Sequence, residues 1–251
     1  MLGEKLLYYL LDYTLSNSFE KKIIKQLNKN KKKLVIFDVG CYRGIFAKSI
    51  LNLIGNRKYK LYLFEINRKA KKYLENILKL KNIYYNEVAL YNKNGMANYN
   101  YNTFFESAGS SLSNIIKNDT KWNFSRKLLM KILLQSPKNY IKYKVPTITI
   151  DSFLKKNKIK SIDILKIDVE GSEYELLQGA KNALIQEKIK IILIEIIGKK
   201  NLYIQKEKKI LNLLKGRNFT LMKKKNILSV SLFSNLKGGD YLFINSKYLK
   251  S

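Results

Sequence analysis

The chain contains no histidine, and only one cysteine, two prolines and one tryptophan in 251 residues. Without imidazole, catalytic triads and histidine general bases are excluded. A single cysteine rules out an internal disulfide and, with histidine missing, leaves zinc almost without ligands. Arginine is scarce as well, five residues against 44 lysines, although it is the side chain best suited to bidentate phosphate and base contacts. No apolar run reaches the ~18 residues of a membrane span, and no Pro/Gly/Ser-rich linker divides the chain. An α/β chain of this length fits one domain, and 46% hydrophobic residues suffice to fill its core.

Positive charge is abundant, with a formal net charge of +30. Clustered cations attract nucleic acid by releasing its counterions. Lysine, asparagine and tyrosine, however, number 44, 26 and 18 and share A/T-rich codons, so a base-composition bias gives the same excess with no selected partner. The excess is read first as a solvated lysine surface, which would also suit an anionic glycan, peripheral contact with anionic lipid, or RNA. The apolar stretch near the start is short, is interrupted by Asp12 and has no small-residue cleavage site after it. It is read as an amphipathic helix on the domain edge rather than a signal peptide, and a cytoplasmic location is expected.

The rest of the chain is organised around residues 34–51. Leu34-Val35-Ile36-Phe37-Asp38-Val39-Gly40 followed by Cys41-Tyr42-Arg43-Gly44 and apolar residues at helical spacing predicts a buried parallel strand, a tight turn and a helix. Glycines at 40 and 44 let the chain turn sharply and let a ligand approach main-chain N–H groups at the helix start. The D-x-G-x-x-x-G spacing is not the G-x-G-x-x-G of pyrophosphate binding. An acid at the strand tip disfavours phosphate and suits a cationic or zwitterionic ligand, such as the aminocarboxypropyl end of S-adenosylmethionine. A second apolar strand, residues 60–65, ends in Glu65, twenty-one residues beyond Gly44. An acid at roughly that interval caps ribose hydroxyls in dinucleotide-type units.

Farther on, the pattern predicts an amphipathic helix over 67–80, a strand over 83–88 and a β-hairpin over 91–102 centred on Asn94-Gly95. Val145 to Ile150 is expected to be an edge-like strand leading to a short helix from Asp151. A strand over 163–168 comes next, with a turn at Asp168-Val169-Glu170-Gly171 and one helix over 173–184. A doubly buried strand spans 189–197, and a helix 204–214. Two final strands, 218–224 and 241–244, are expected to be antiparallel and joined by a loop holding Gly238-Gly239. Residues 1–33 are assigned to an N-terminal helical extension and 34–251 to the main domain, with an insertion at about 103–142 that would form a lid or recognition region. The alternation gives a doubly wound α/β fold whose ligands bind beyond the carboxyl ends of the strands. Asp38, Glu65, Asp168 and Glu195 all fall at or near those ends.

The segments Ile36-Phe37-Asp38-Val39-Gly40-x-x-x-Gly44, Leu63-Phe64-Glu65, Val88-Ala89-Leu90, Ser110-Ser111-Leu112, Val145-Pro146-Thr147-Ile148-Thr149-Ile150-Asp151, Leu165-Lys166-Ile167-Asp168-Val169-Glu170-Gly171, Leu177-x-Gly179-Ala180 and Ile194-Glu195 resemble the FkbM family of S-adenosylmethionine-dependent methyltransferases. The resemblance covers about residues 34–244. It implies the class I methyltransferase fold, a Rossmann-like, mostly parallel seven-stranded sheet with an antiparallel last strand. It also implies that Asp38, Gly40 and Gly44 hold the amino-acid end of the cofactor; Cys41 and Tyr42 of the same turn are further expected cofactor-binding residues. Glu65 would take the ribose, and Ile66, Glu87 and Val88 the adenine. Family members generally methylate oxygen, often on a sugar or natural-product scaffold. Ile196-Ile197 stand where the family often has a polar or histidine residue.

A hydroxyl acceptor must lose its proton, and with no histidine a carboxylate is the natural base. Asp168 or Glu170 is expected to serve. Asp168 could instead orient the amino group of the cofactor, and Glu170 could simply cap the following helix. Ser110 and Ser111 are candidate substrate contacts. A small-molecule or glycan O-methyltransferase is the reading adopted; an RNA methyltransferase and a non-catalytic module of the same fold are the alternatives.

Overall fold

The computed structural model describes residues 33–102, 112, 140–226 and 236–249. The expected N-terminal helices, nearly all of the insertion, and Ser110 and Ser111 lie outside them. In chain order the elements are β1 (Leu34–Val39), α1 (Ile45–Ile54), β2 (Tyr59–Phe64), α2 (Lys71–Leu78), β3 (Ile83–Asn86), β4 (Ala89–Leu90), β5 (Gly95–Asn102) and β6 (Tyr140–Ile148). They continue with α3 (Ile150–Lys156), β7 (Ile162–Ile167), α4 (Glu173–Gln178), α5 (Lys181–Ile185), β8 (Ile189–Lys199), α6 (Lys200–Lys215), β9 (Phe219–Asn226) and β10 (Leu236–Asn245).

Seven strands form one sheet in the order β3-β2-β1-β7-β8-β10-β9. Neighbours from β3 to β8 are parallel, and β10 runs antiparallel to both β8 and β9. This is the α/β architecture expected, with its single reversed strand placed last in sequence. The central strands carry apolar side chains on both faces because helices cover both. Ile36, Leu61, Leu63, Ile164 and Ile191 meet Ala47, Ile50, Leu74 and Ile77 of α1 and α2. Phe37, Phe64, Leu165, Ile192 and Ile194 meet Phe153, Leu177, Leu184 and Ile210 on the other side. Each such side chain stabilises the fold by roughly 1.5–3 kcal/mol. Phe153 of α3 sets its ring edge-on to Phe37, Tyr62 and Phe64, at centroid distances of 5.6, 5.8 and 4.9 Å.

Several local expectations give way to tertiary contacts. Residues 91–102 do not form a hairpin: β5 pairs along its whole length with β6, and β4 pairs with the end of β6 from the opposite side. Asn94 accepts from the Thr149 N–H at 2.9 Å and donates to Ser152 at 3.0 Å, so its side chain pins the connection to the start of α3 instead of closing a two-residue turn. β6 is therefore the middle strand of a three-stranded sheet, not an edge, and its first residues take up 140–142 of the expected insertion. Pro146 is tolerated because Ile148 presents its carbonyl to Tyr91 on the β4 side. By alternation Pro146 faces that same side, where β4 reaches only Thr147 and Ile148.

The helix expected over 173–184 is two helices. They part at Gly179, where a Cβ would run into the Tyr91 carbonyl oxygen. Asp151 then secures α5 by accepting from the Asn182 and Ala183 N–H groups, both at 2.8 Å. Gly238 and Gly239 lie inside β10, opposite Ile197 and Ile196, not in a loop. The strand expected over 83–88 stops at Asn86. No helix among the described residues is long and apolar enough to cross a membrane.

Candidate active site

β1 sits at the point where the strand order reverses, with β2 on one side and β7 on the other, and the crevice beyond the carboxyl ends is where such sheets take their ligands. Register brings the acids together there. Asp38 lies opposite Lys166, and Asp240 of β10 lies opposite Glu195 of β8. Lys166 pairs with Leu193, so Asp168, two residues on, is level with Glu195. All five side chains share the α1/α2 face. Lys166 donates to Asp168 at 2.8 Å, and its ammonium is 4.0 Å from Asp38.

Asp38 is 0% exposed, and neither of its carboxylate oxygens has a hydrogen-bond partner among the described residues. Burial pushes its pKa up to about 6; Lys166 opposes the shift, while Asp168 and Glu65 reinforce it. Asp240 is pushed up to about 7 by burial and by Asp168, against Lys166 and Lys225. Burial, then Asp168, Asp240 and Glu170, carries Glu195 well above the carboxylate range. For Lys166, burial works against the charged form, but Asp168 and Asp38 outweigh it and hold the ammonium protonated.

The raised pKa of Asp38 makes stability pH-dependent with a definite sign. Between its ordinary value of 3.8 and about 6 the folded chain holds this proton more tightly than the unfolded chain does. The associated stability is complete below about pH 4 and is lost as pH rises through about 6. Asp38→Asn has no such loss. The variant is expected to gain about 2–3 kcal/mol on the parent between about pH 4 and 7, read from urea midpoints. Equal slopes for the two proteins would refute this assignment.

The turn after β1 is stitched into the sheet. Gly40 and Cys41 donate to the Phe64 carbonyl at 3.0 and 3.3 Å, Tyr42 donates to Glu65 at 2.9 Å, and Gly44 donates to Cys41 at 2.7 Å. These N–H groups, expected to face a ligand, are thus engaged within the chain. The glycines serve different contacts. A Cβ on Gly40, at φ 75°, would run into the Asp168 carbonyl oxygen, whereas one on Gly44, at φ 69°, would meet Ile77 and Leu74 of α2, each at 2.6 Å. Gly40 lets the crevice close against β7, and Gly44 lets the start of α1 rest on α2.

Glu65 is 8% exposed. Besides Tyr42, it accepts from Ile66 and Asn67, both at 2.8 Å. Burial nonetheless raises its pKa. Three of a carboxylate's roughly four lone-pair positions are occupied, leaving about one for an outside hydroxyl. Ile66 packs with Tyr99, Tyr101, Tyr143 and Val145, and Tyr143 donates to its carbonyl at 3.3 Å, so the small sheet forms a wall beside this position. Val88 is partly buried against the larger core. Glu87 is half exposed and pairs with Lys71 at 3.7 Å, outside the buried acid cluster. Cys41 is buried, and burial with Asp38 and Glu65 keeps it a protonated thiol. The Arg43 guanidinium lies over the rings of Tyr42 and Tyr73, at 5.1 and 4.7 Å from their centroids, and braces the turn from outside.

Asp168 abuts the Gly40 turn as expected, its N–H donating to Val39 at 3.0 Å. Glu170 has φ 50°, and it is Ser172 that holds the N-cap position of the next helix. Sequence reasoning missed Lys166 and Asp240. Lys166 stood two residues before Asp168 in the segment Leu165-Lys166-Ile167-Asp168-Val169-Glu170-Gly171, whereas Asp240 becomes visible only once the antiparallel register is known.

The residues fit S-adenosylmethionine in one definite respect: a fully buried carboxylate at the switch point, with no hydrogen bond from the described residues, is the complement of a cation. The sequence profile of the methyltransferase FkbM domain matches residues 38–221. The 2-O-methyltransferase NoeI of Sinorhizobium fredii is 28% identical over 183 residues, which is 68% of this chain and 66% of NoeI. The crystal structure of a methyltransferase FkbM from Methylobacillus flagellatus superposes with a TM-score of 0.53 at 12% identity, covering 84% of this chain and 44% of that one. The chain thus spans slightly under two thirds of NoeI and less than half of the crystallised protein.

Proposed function

Because the chain belongs to the FkbM methyltransferase family, we propose that it methylates a hydroxyl oxygen on a sugar, glycan or small-molecule acceptor. S-adenosylmethionine is the methyl donor of this class, and it supplies an electrophilic methyl group on a positively charged sulfur. The residues that would hold it are Asp38, Gly40, Cys41, Tyr42, Gly44, Glu65, Ile66, Glu87, Val88 and Asp168.

One observation carries the choice of acceptor. In a chain of net charge +30, the mouth of the sheet collects Asp38, Glu65, Asp168, Glu195 and Asp240 around Lys166. Such a mouth suits a cationic donor and an uncharged polyol. The raised pKa values of Glu195 and Asp240, with the Lys166 ammonium, reduce its negative charge at neutral pH, but Asp38, Glu65 and Asp168 still make it a poorer site for the phosphates of RNA than for an uncharged polyol. The 2-O-methyltransferase name of the relative NoeI supports oxygen as the acceptor atom. Asp168 or Glu170 takes the hydroxyl proton, and the fixed approach of β7 to the Gly40 turn supplies the alignment on which an in-line substitution depends.

The test is labelled methyl transfer from S-adenosylmethionine to extracted glycans, lipids and RNA in parallel. Label is expected in the glycan or small-molecule fraction; label confined to RNA overturns the proposal. With the labelled fraction in hand, Asp168→Asn or Glu170→Gln is expected to lower turnover by about 100-fold or more while cofactor binding survives. Full turnover in both variants excludes both bases.

A further inference from the structure

We infer that Lys166 is a charge-balancing residue of the donor site, setting the affinity of the chain for S-adenosylmethionine relative to its demethylated product. The inference rests on the donor-site reading above and extends it to a residue that neither the family match nor the relatives assign. The two ligands differ by one methyl and one positive charge: the donor carries a sulfonium, and S-adenosylhomocysteine a neutral thioether. A crevice lined only by carboxylates would hold the cation far more tightly than the product, and the donor would be bound deeply before any chemistry. Binding energy spent equally early does not accelerate transfer.

Lys166 corrects that imbalance from a fixed position. Its backbone is in register with Asp38 on β1 and Leu193 on β8, and its ammonium is held by Asp168 at 2.8 Å with Asp38 at 4.0 Å. Its side chain is only 19% exposed, so its charge is weakly screened by solvent. It lies between the two carboxylates nearest the switch point, with Glu195 also within electrostatic reach. Lys166 therefore offsets their pull on a sulfonium while leaving hydrogen-bond acceptors for the donor's amino group.

The experiment is calorimetric titration of the full chain with S-adenosylmethionine and, separately, with S-adenosylhomocysteine at about pH 8. Lys166→Met is expected to raise the preference for the donor over the product by about tenfold, since one unit of nearby positive charge is removed. Asp168→Asn is expected to shift the ratio severalfold in the opposite direction, and Lys166→Arg to leave it within about twofold. A structural role would weaken both ligands alike and leave the ratio unmoved. If Lys166→Met does not fold, Lys166→Gln decides, because it removes the charge while keeping a hydrogen-bond donor for Asp168, and it is expected to raise the ratio in the same direction. Ratios unchanged in every folded variant, with both ligands still bound by the parent, overturn this inference only. A parent chain that binds neither ligand overturns the donor-site reading and this inference with it.

Discussion

Gly40→Ala is expected to destabilise the fold by about 3–5 kcal/mol and to abolish cofactor binding. The added Cβ would run into the Asp168 carbonyl oxygen and lie 2.8 Å from its carbon. Neither side can yield easily. Gly40 donates to Phe64 at 3.0 Å and Asp168 donates to Val39 at 3.0 Å, so relief requires prising β1 from β7 at the mouth of the crevice. The backbone conformation adds a smaller cost, about 1–2 kcal/mol for a non-glycine residue in the left-handed region. Gly55→Ala carries a backbone cost without a clash, because a Cβ there would meet no described atom within 4 Å; at φ 53° and ψ −131° it occupies a glycine-only region outside the left-handed helical one, so its loss of about 1–3 kcal/mol is an upper bound on that smaller part. Urea unfolding of the two variants should therefore differ by about 2–3 kcal/mol. Equal losses would show that the approach of Asp168 is not what demands glycine at position 40.

Lys206→Met should be nearly as damaging, at about 3–5 kcal/mol, because it strands a buried carboxylate. Glu173 is 0% exposed and its Oε2 is 3.0 Å from the Lys206 ammonium; its other oxygen accepts from the Gly171 N–H at 2.6 Å. Burial already raises the pKa of Glu173, and Lys206 and the Gly171 N–H are what hold it down. The same ammonium donates to the carbonyls of Gly171 and Ile197, at 2.8 and 3.0 Å, which ties the turn carrying Asp168 and Glu170 to β8. The double variant Glu173→Gln with Lys206→Met removes both charges and should recover at least half of the loss. Thermal midpoints of the two single variants and the double variant measure this coupling. Strict additivity would mean that the pair contributes nothing as a pair.

Much of the molecule was legible because its signals are local. Apolar runs of four residues ending in an acid, Leu34 to Phe37 before Asp38 and Leu61 to Phe64 before Glu65, are too apolar for amphipathic helices or half-exposed strands, so β1 and β2 follow from composition and spacing. Gly40 and Gly44 mark a turn on the same grounds, although the contacts requiring them, the Asp168 carbonyl just after β7 for one and α2 side chains for the other, lie about 30 to 130 residues away in sequence. Where local signals misled, a distant partner had taken the groups they relied on. Asn94 resembled the tip of a hairpin until its side chain proved to be committed to Thr149 and Ser152. The helix over 173–184 broke where the Tyr91 backbone needed room.

By itself, the sequence determined that this is an α/β chain with carboxylates at the ends of its parallel strands, because periodicity and side-chain chemistry are properties of short segments. Only the tertiary structure decided which charges meet. Asp240 joins Glu195 through an antiparallel register that no spacing encodes, Lys166 comes to stand between Asp38 and Asp168, and the carboxylate of Glu65 is already largely taken up by main-chain donors. The physical reason is that an acid's proton affinity and free lone pairs depend on burial and on neighbours within a few ångströms, and in a sheet those neighbours come from strands far apart in the chain.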